Sequence, residues 1–132
     1  MQPETSEETV DELYRLSQQV IGCAYAVSNS LGCGFLEKVY ENVLAHALRK
    51  AGLKVRQQSP IRIYYDGALV GEYAADLLVE CCLLVELKAV KELDDVHLAQ
   101  CLNYLKATGL TLFLLMNFGS ARVAVKRIVK DF

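Results

Sequence analysis

The chain has 132 residues, 53% hydrophobic and 23% charged, with a formal net charge of −2. That length suits one core and leaves no room for two, and the composition excludes wholesale disorder. A small negative charge argues against generic, charge-driven binding to nucleic acid, although four Lys and Arg residues cluster between Arg122 and Lys130 and leave room for a local basic patch.

No apolar stretch reaches the roughly 18 residues that span a bilayer. Residues 1–12 are acidic and polar, unlike a signal or transit peptide, so the expected location is the cytoplasm, away from any membrane. The five cysteines (Cys23, Cys33, Cys81, Cys82, Cys101) are odd in number and sit in apolar segments without C-x2-C spacing. They read as buried thiols rather than as a disulfide framework or an iron–sulfur site, with adjacent Cys81 and Cys82 on opposite faces of a strand. Residues 1–8 are expected to form a flexible acidic N-terminus and 9–132 a single domain.

A first helix is predicted over 7–31. Thr5 and Glu8 have capping-box spacing, and Val10, Leu13, Leu16, Val20, Ala24, Val27 and Leu31 recur every three or four residues. Gly32-Cys33-Gly34 breaks it. A second helix follows with Leu36, Val39, Tyr40, Val43, Leu44, Ala47 and Leu48 on its apolar face, and Gly52 as its stop. From Leu53 the period becomes two, and Asp66-Gly67 marks a hairpin whose return strand runs past Leu69 and Tyr73 to Asp76 and Val79. After a turn near Glu80-Cys81-Cys82 comes a strand over 83–88. Asp94 or Asp95 caps a third helix that stops at Thr108-Gly109. The apolar run 110–116 suits a strand buried on both faces, Asn117 to Ser120 a turn, and 121–129 a half-exposed last strand. This order, helix, helix, three-stranded meander, helix, strand, strand, is α/β with a mixed sheet flanked by helices.

The informative anomalies are polar residues inside apolar strands: Asp76 after Tyr73-Ala74-Ala75, and Glu86 and Lys88 within Leu83-Leu84-Val85-Glu86-Leu87-Lys88. A carboxylate there loses its water and must be paired, neutralised or bound to a cation. Glu86 and Lys88, two apart, share one strand face at about 7 Å. With Asp76 they form a hard-oxygen cradle for Mg2+ or Mn2+ beside an ammonium. The turn decides whether the cradle forms. A two-residue loop at Glu80-Cys81 opposes Asp76 to Val85, on the wrong face. A three-residue loop, or a bulge near Asp76, opposes it to Glu86, and that is the expected arrangement.

The pattern Asp76 … Glu86-Leu87-Lys88 resembles the core of the PD-(D/E)XK nuclease superfamily, with Ala75 where that family usually has proline. Gly34-Phe35-Leu36-Glu37-Lys38-Val39-Tyr40 resembles the signature of the GxxExxY proteins, a bacterial branch of the superfamily. Gln100-Cys101-Leu102-Asn103-Tyr104 is similar to the Q-x-x-x-Y element of exonuclease-like members. The resemblance implies a restriction-endonuclease-like core. It also implies a metal held by Asp76, Glu86, the backbone carbonyl of Leu87 and Glu37, and a Lys88 that orients or deprotonates the attacking water. Gln100 and Tyr104 become substrate-positioning groups, four apart on one helix face. Helical phase independently places Glu37 beside Leu44 and Leu48, at the edge of the apolar stripe.

Each residue alone has a plainer reading. Glu86 and Lys88 fit a solvated strand face, Glu37 a surface glutamate, and Tyr40 a core position. Gln100 and Tyr104 fit an interfacial pair, and His97, three residues before Gln100, an ordinary helix residue outside the site. Lys126 to Lys130 fits a charged edge that discourages aggregation, or else a track for a phosphate backbone. Their joint occurrence favours a Mg2+- or Mn2+-dependent nuclease with Glu37, Asp76, Glu86 and Lys88 as catalytic residues, nucleic acid (DNA in the first place) as partner, and a homodimer compatible with its small size. The alternatives are a non-catalytic nucleic-acid- or protein-binding module on the same fold and a hydrolase of smaller phosphoesters.

Overall fold

The computed structural model describes residues 7–130. The elements are α1 (Glu7–Leu31), α2 (Glu37–Lys50), β1 (Val55–Tyr65), β2 (Ala68–Val79), β3 (Leu83–Lys88), α3 (Asp95–Thr108), β4 (Leu112–Asn117) and β5 (Ala124–Val129). The sheet order is β1-β2-β3-β4-β5, antiparallel except for the parallel pair β3–β4. A parallel pair needs a long crossover, which α3 supplies. The mixed α/β sheet flanked by helices expected from the sequence is the fold of the chain.

Two apolar layers hold it together. On one face Val20, Ala24, Tyr40 and Leu44 pack on Leu77, Val85 and Leu114. On the other, Cys101, Tyr104 and Leu105 pack on Leu84, Phe113 and Leu115. β4 is buried along its whole length, because it lies between strands and under helices on both sides. Among the described residues no helix is long and apolar enough to cross a membrane.

The turns carry the register. Asp66 (φ 51°) and Gly67 (φ 76°) both take left-handed backbone, the requirement of a two-residue hairpin. Between β2 and β3 the connection is three residues long, with Val79 opposite Leu83 and Leu77 opposite Val85. Glu80 (φ 51°) and Cys81 (φ 59°) are left-handed there without being glycine. Glu80 is held in place by Lys54, whose carbonyl accepts the Glu80 N–H (2.8 Å) and whose N–H donates to Glu80 Oε2 (2.7 Å). Asp94 caps α3 by accepting from the N–H groups of Val96 and His97, while His97 Nδ1 accepts the Asp94 N–H. His97 is thus a capping residue.

Several expectations are corrected. Leu36 is the N-cap of α2 and 80% exposed, because the helix starts one residue after it and its phase does not extend that far. Cys81 and Cys82 lie in the turn, not on a strand, and Cys33 and Cys81 are exposed rather than buried. Asn117 closes β4 instead of opening a turn, and β5 begins at Ala124. The Thr5–Glu8 capping pair lies outside the residues whose side chains are described. β5 is an edge strand, and its Arg127 is engaged with α1. The guanidinium lies 4.6 Å from the Tyr14 ring centroid, and Nε donates to Ser17 Oγ (3.2 Å).

Candidate active site

In a regular strand, residues two apart share a face. The β1–β2 hairpin departs from this at one point. Val55 and Leu77 pack toward α1 and α2, whereas Ile61, Ile63 and Ala75, of the same parity, pack toward α3. The faces exchange across Gln58 and Asp76, and Gln58 carries the strain as a left-handed backbone (φ 53°). Asp76 therefore sits where β2 turns over beside β3.

The β2–β3 ladder stops at Leu77 opposite Val85, one step short of Asp76 and Glu86. Side chains replace the missing rungs. Asp76 Oδ2 accepts the Leu87 N–H (2.8 Å), and Glu86 Oε1 accepts the Asp76 N–H (3.1 Å). The three-residue turn thus brings the two carboxylates together as the sequence requires, with each one bonded to the other's strand.

The pair is electrostatically uncomfortable. Burial, followed by repulsion from Asp76, pushes Glu86 up to about 7, although the positive charge of Lys88 works against the shift. Asp76 is also raised, mainly by desolvation, against the hydrogen bonds from Leu87 and Gln58. Glu86 is only 7% exposed. Lys88, partly buried at the end of β3, is close enough to Glu86 and Cys101 to favour the charged form of each.

Glu37 comes to this place from the opposite side of the sheet. It is the first residue of α2, exposed, and its Oε1 accepts the Ala89 N–H (3.2 Å) just beyond β3. An open cleft of about 540 Å³ runs between Glu37, Glu41, Gln58, Asp76 and Ala89. Gln100 and Tyr104 are not in it. They line a separate groove on the α3 side, with Tyr104 buried against Tyr73 (ring centroids 5.6 Å) and Phe113 (6.2 Å). Burial, then the nearby Glu86 carboxylate, raise the Tyr104 hydroxyl to about 12.

Three residues that the sequence reading passed over prove central. Glu41, 3% exposed, accepts from Gln57 Nε2 (2.8 Å), Gln58 Nε2 (2.8 Å) and Lys38 Nζ (3.1 Å). Gln58 Nε2 also donates to Asp76 Oδ1 (3.2 Å), so α2 is linked to the acidic pair through β1. The signal for Glu41 was present: it is one turn after Glu37, in the same helical row as Leu44 and Leu48. Asn117 clamps the exit of β3, with Oδ1 accepting from Val90 N–H (3.1 Å) and Gly119 N–H (3.0 Å) and Nδ2 donating to the Val90 carbonyl (2.9 Å). A Cβ on Gly119 would overlap the Val90 carbonyl oxygen, so this close approach requires glycine.

Among the described residues, no three His, Cys, Asp or Glu side chains converge tightly enough to hold a metal by themselves. The chemistry of the donors nevertheless suits a hard cation. Asp76 and Glu86 are desolvated carboxylates that repel each other, and a divalent ion would relieve both penalties.

The PD-(D/E)XK nuclease superfamily pattern matches residues 14–128, nearly the whole chain. The chain belongs to that superfamily. Among solved structures, an alkaline exonuclease from Laribacter hongkongensis matches at 16% identity and a TM-score of 0.50, over 66% of this chain and 52% of that one. The structure of SSO0001 matches at 16% identity and a TM-score of 0.52, over 72% of this chain and 50% of its own. At that identity the likeness concerns the fold, and the chain spans about half the length of each. No curated protein matches the sequence. Asp76, Glu86 and Lys88 lie within the matched residues, on the strand–turn–strand unit described above.

Proposed function

We propose that this PD-(D/E)XK protein hydrolyses phosphodiester bonds of nucleic acid, DNA in the first place, with a bound Mg2+ or Mn2+, and that it is of the GxxExxY type. The observation that carries the reading is the half-buried Asp76 beside the buried Glu86 at the end of a ladder, next to Lys88. Holding two partly desolvated carboxylates side by side destabilises a fold, and an arrangement of that kind is most simply explained by a cation that binds between them.

Asp76, Glu86 and the Leu87 carbonyl would hold the ion, with Glu37 supplying a further carboxylate from α2. The ion supplies a lowered water pKa and screening of phosphate charge. Lys88 places an ammonium beside the pair, where it orients the attacking water and stabilises charge on the phosphoryl oxygens. Gln58 holds Asp76 Oδ1, and Ala89 N–H holds Glu37, so both carboxylates enter the reaction already oriented.

The test is cleavage of end-labelled single- and double-stranded oligonucleotides with Mg2+, Mn2+ or EDTA. The expected result is metal-dependent cleavage that Asp76→Ala lowers by more than about 100-fold, beyond the effect of losing an outer-shell partner. The lack of a tight three-ligand cluster among the described residues favours one rival, a module that binds without turnover. Oligonucleotide binding that survives both EDTA and Asp76→Ala, with no cleavage under any metal, would establish that rival.

A further inference from the structure

On the α3 face, a groove of about 240 Å³ lies between the β1–β2 hairpin and α3, lined by Ile63, Tyr73, Val96, Gln100, Asn103 and Tyr104. Its floor is aromatic. Tyr104 is buried, and Tyr73, 51% exposed, lies against it and presents ring surface to solvent. Gln100 and Asn103, on neighbouring turns of α3, add amide donors and acceptors at its rim. Val96, 74% exposed, adds an apolar lip. The groove is smaller than the roughly 300 Å³ at which drug-sized ligand pockets begin, so it suits one flat ring rather than a folded peptide.

The groove lies on the face of the sheet that carries Glu86, which is two residues from Leu84 on β3, and Leu84 packs in one cluster with Cys101 and Tyr104. Tyr104 feels both Glu86 and Asp76, and Cys101, one helical turn before Leu105, feels Glu86 and Lys88. Glu86 belongs to the α3 side of the sheet, and Asp76, bonded to it, also lines the cleft on the α2 side. A strand whose phosphate reaches the Asp76–Glu86 pair therefore has an aromatic platform beside it.

We infer that this groove receives one unpaired base of the nucleic-acid strand being cut, stacked on Tyr73 with its edge met by the Gln100 and Asn103 amides. The inference rests on the proposed nuclease reading and narrows its substrate to single-stranded or frayed nucleic acid. In an intact duplex both faces of each internal base are covered by neighbours, and only an unstacked base can lie on the ring. Base–aromatic stacking accepts any base, so the groove selects for strandedness rather than for sequence.

The experiment is fluorescence anisotropy of a fluorescein-labelled single-stranded oligonucleotide and of its blunt duplex, with Ca2+ in place of Mg2+. Wild type, Asp76→Ala, Tyr73→Ala, Tyr73→Phe and Asn103→Ala are compared, with sedimentation velocity on each. The inference expects preference for the single strand, a roughly 5- to 150-fold weakening by Tyr73→Ala, and rescue by Tyr73→Phe. Because Tyr73 is half exposed, the alanine variant should remain folded, and its melting curve checks this. Equal affinity for duplex and single strand, or unchanged binding in both Tyr73→Ala and Asn103→Ala, would overturn it. Loss of self-association in Tyr73→Ala with unchanged oligonucleotide binding would instead assign the patch to a second copy of the chain. Tyr73-dependent binding without cleavage under any metal would leave the groove standing and remove the nuclease reading. Cleavage with Tyr73-independent binding would do the reverse.

Discussion

Two buried glutamates stand on either side of Asp76 and have opposite surroundings. Glu41, on α2, is ringed by donors from Lys38, Gln57 and Gln58. Glu86, on β3, has the Asp76 N–H as a donor and the Asp76 carboxylate as a repelling neighbour. The two are similarly hidden, at 3% and 7% exposure, so burial does not distinguish them. Compensation does. A buried charge with its hydrogen bonds satisfied is part of the scaffold. One left short of partners, beside a second carboxylate, is poised for a ligand that comes from outside.

The largest test of this contrast is Glu86→Gln. It should abolish metal-dependent cleavage, by at least about 100-fold, while making the metal-free protein more stable at alkaline pH. The direction follows from the proton. Glu86 titrates higher in the native state, near 7, than the roughly 4.3 of an unfolded glutamate. Its stabilising share is therefore complete below about pH 4 and is lost as the pH rises through about 7. Urea unfolding in EDTA at pH 5 and pH 8 should show wild type weakening across that interval. Glu86→Gln should remove the share of the dependence that belongs to Glu86 and gain up to about 3 kcal/mol at the higher pH. A variant no more stable than wild type at pH 8 would contradict the idea that Glu86 is uncompensated.

Glu41→Ala should behave in the opposite way. It strips the acceptor from two glutamine amides and leaves a hole beside the cleft, costing about 2–3 kcal/mol at any pH from 5 to 8. Urea unfolding at the two pH values would detect it. A stabilised Glu41→Ala would erase the distinction between the two glutamates. The smallest effect concerns Lys38, whose side chain is 60% exposed in its pair with Glu41. Lys38→Met should change stability by less than about 1 kcal/mol, because an exposed partner contributes little. A larger loss would mean that Glu41 depends on that charge more than on the glutamine amides.

Some of this was legible in the residues, and the legible part had local causes. The Asp66-Gly67 hairpin, the bounds of β3, the Asp94 cap and the end of α3 at Gly109 each depend on a few neighbouring residues. The assembly of Asp76 with Glu86 also followed from counting, since the length of a turn decides which residues oppose each other. Asp76, Glu86 and Lys88 stood out because charged groups inside an apolar strand demand an explanation.

What escaped the sequence depended on contacts between distant elements. Glu41 looked like any helix glutamate until α2 was laid over Gln57 and Gln58. Asn117 looked like a turn residue, yet it clamps Val90 across 27 positions of chain. The face exchange at Gln58 and Asp76 is invisible to a period-two pattern, because parity continues unbroken through it. Gln100 and Tyr104 share a helix face as their spacing requires, but only the packing of α3 on the hairpin turned that face into a groove with Tyr73. By itself the sequence determined the order of elements, the register across the β1–β2 and β2–β3 turns and the presence of misplaced charge, all of which are set by backbone geometry over a few residues. The tertiary structure alone decided which charges are compensated, because compensation depends on donors brought from other elements through space.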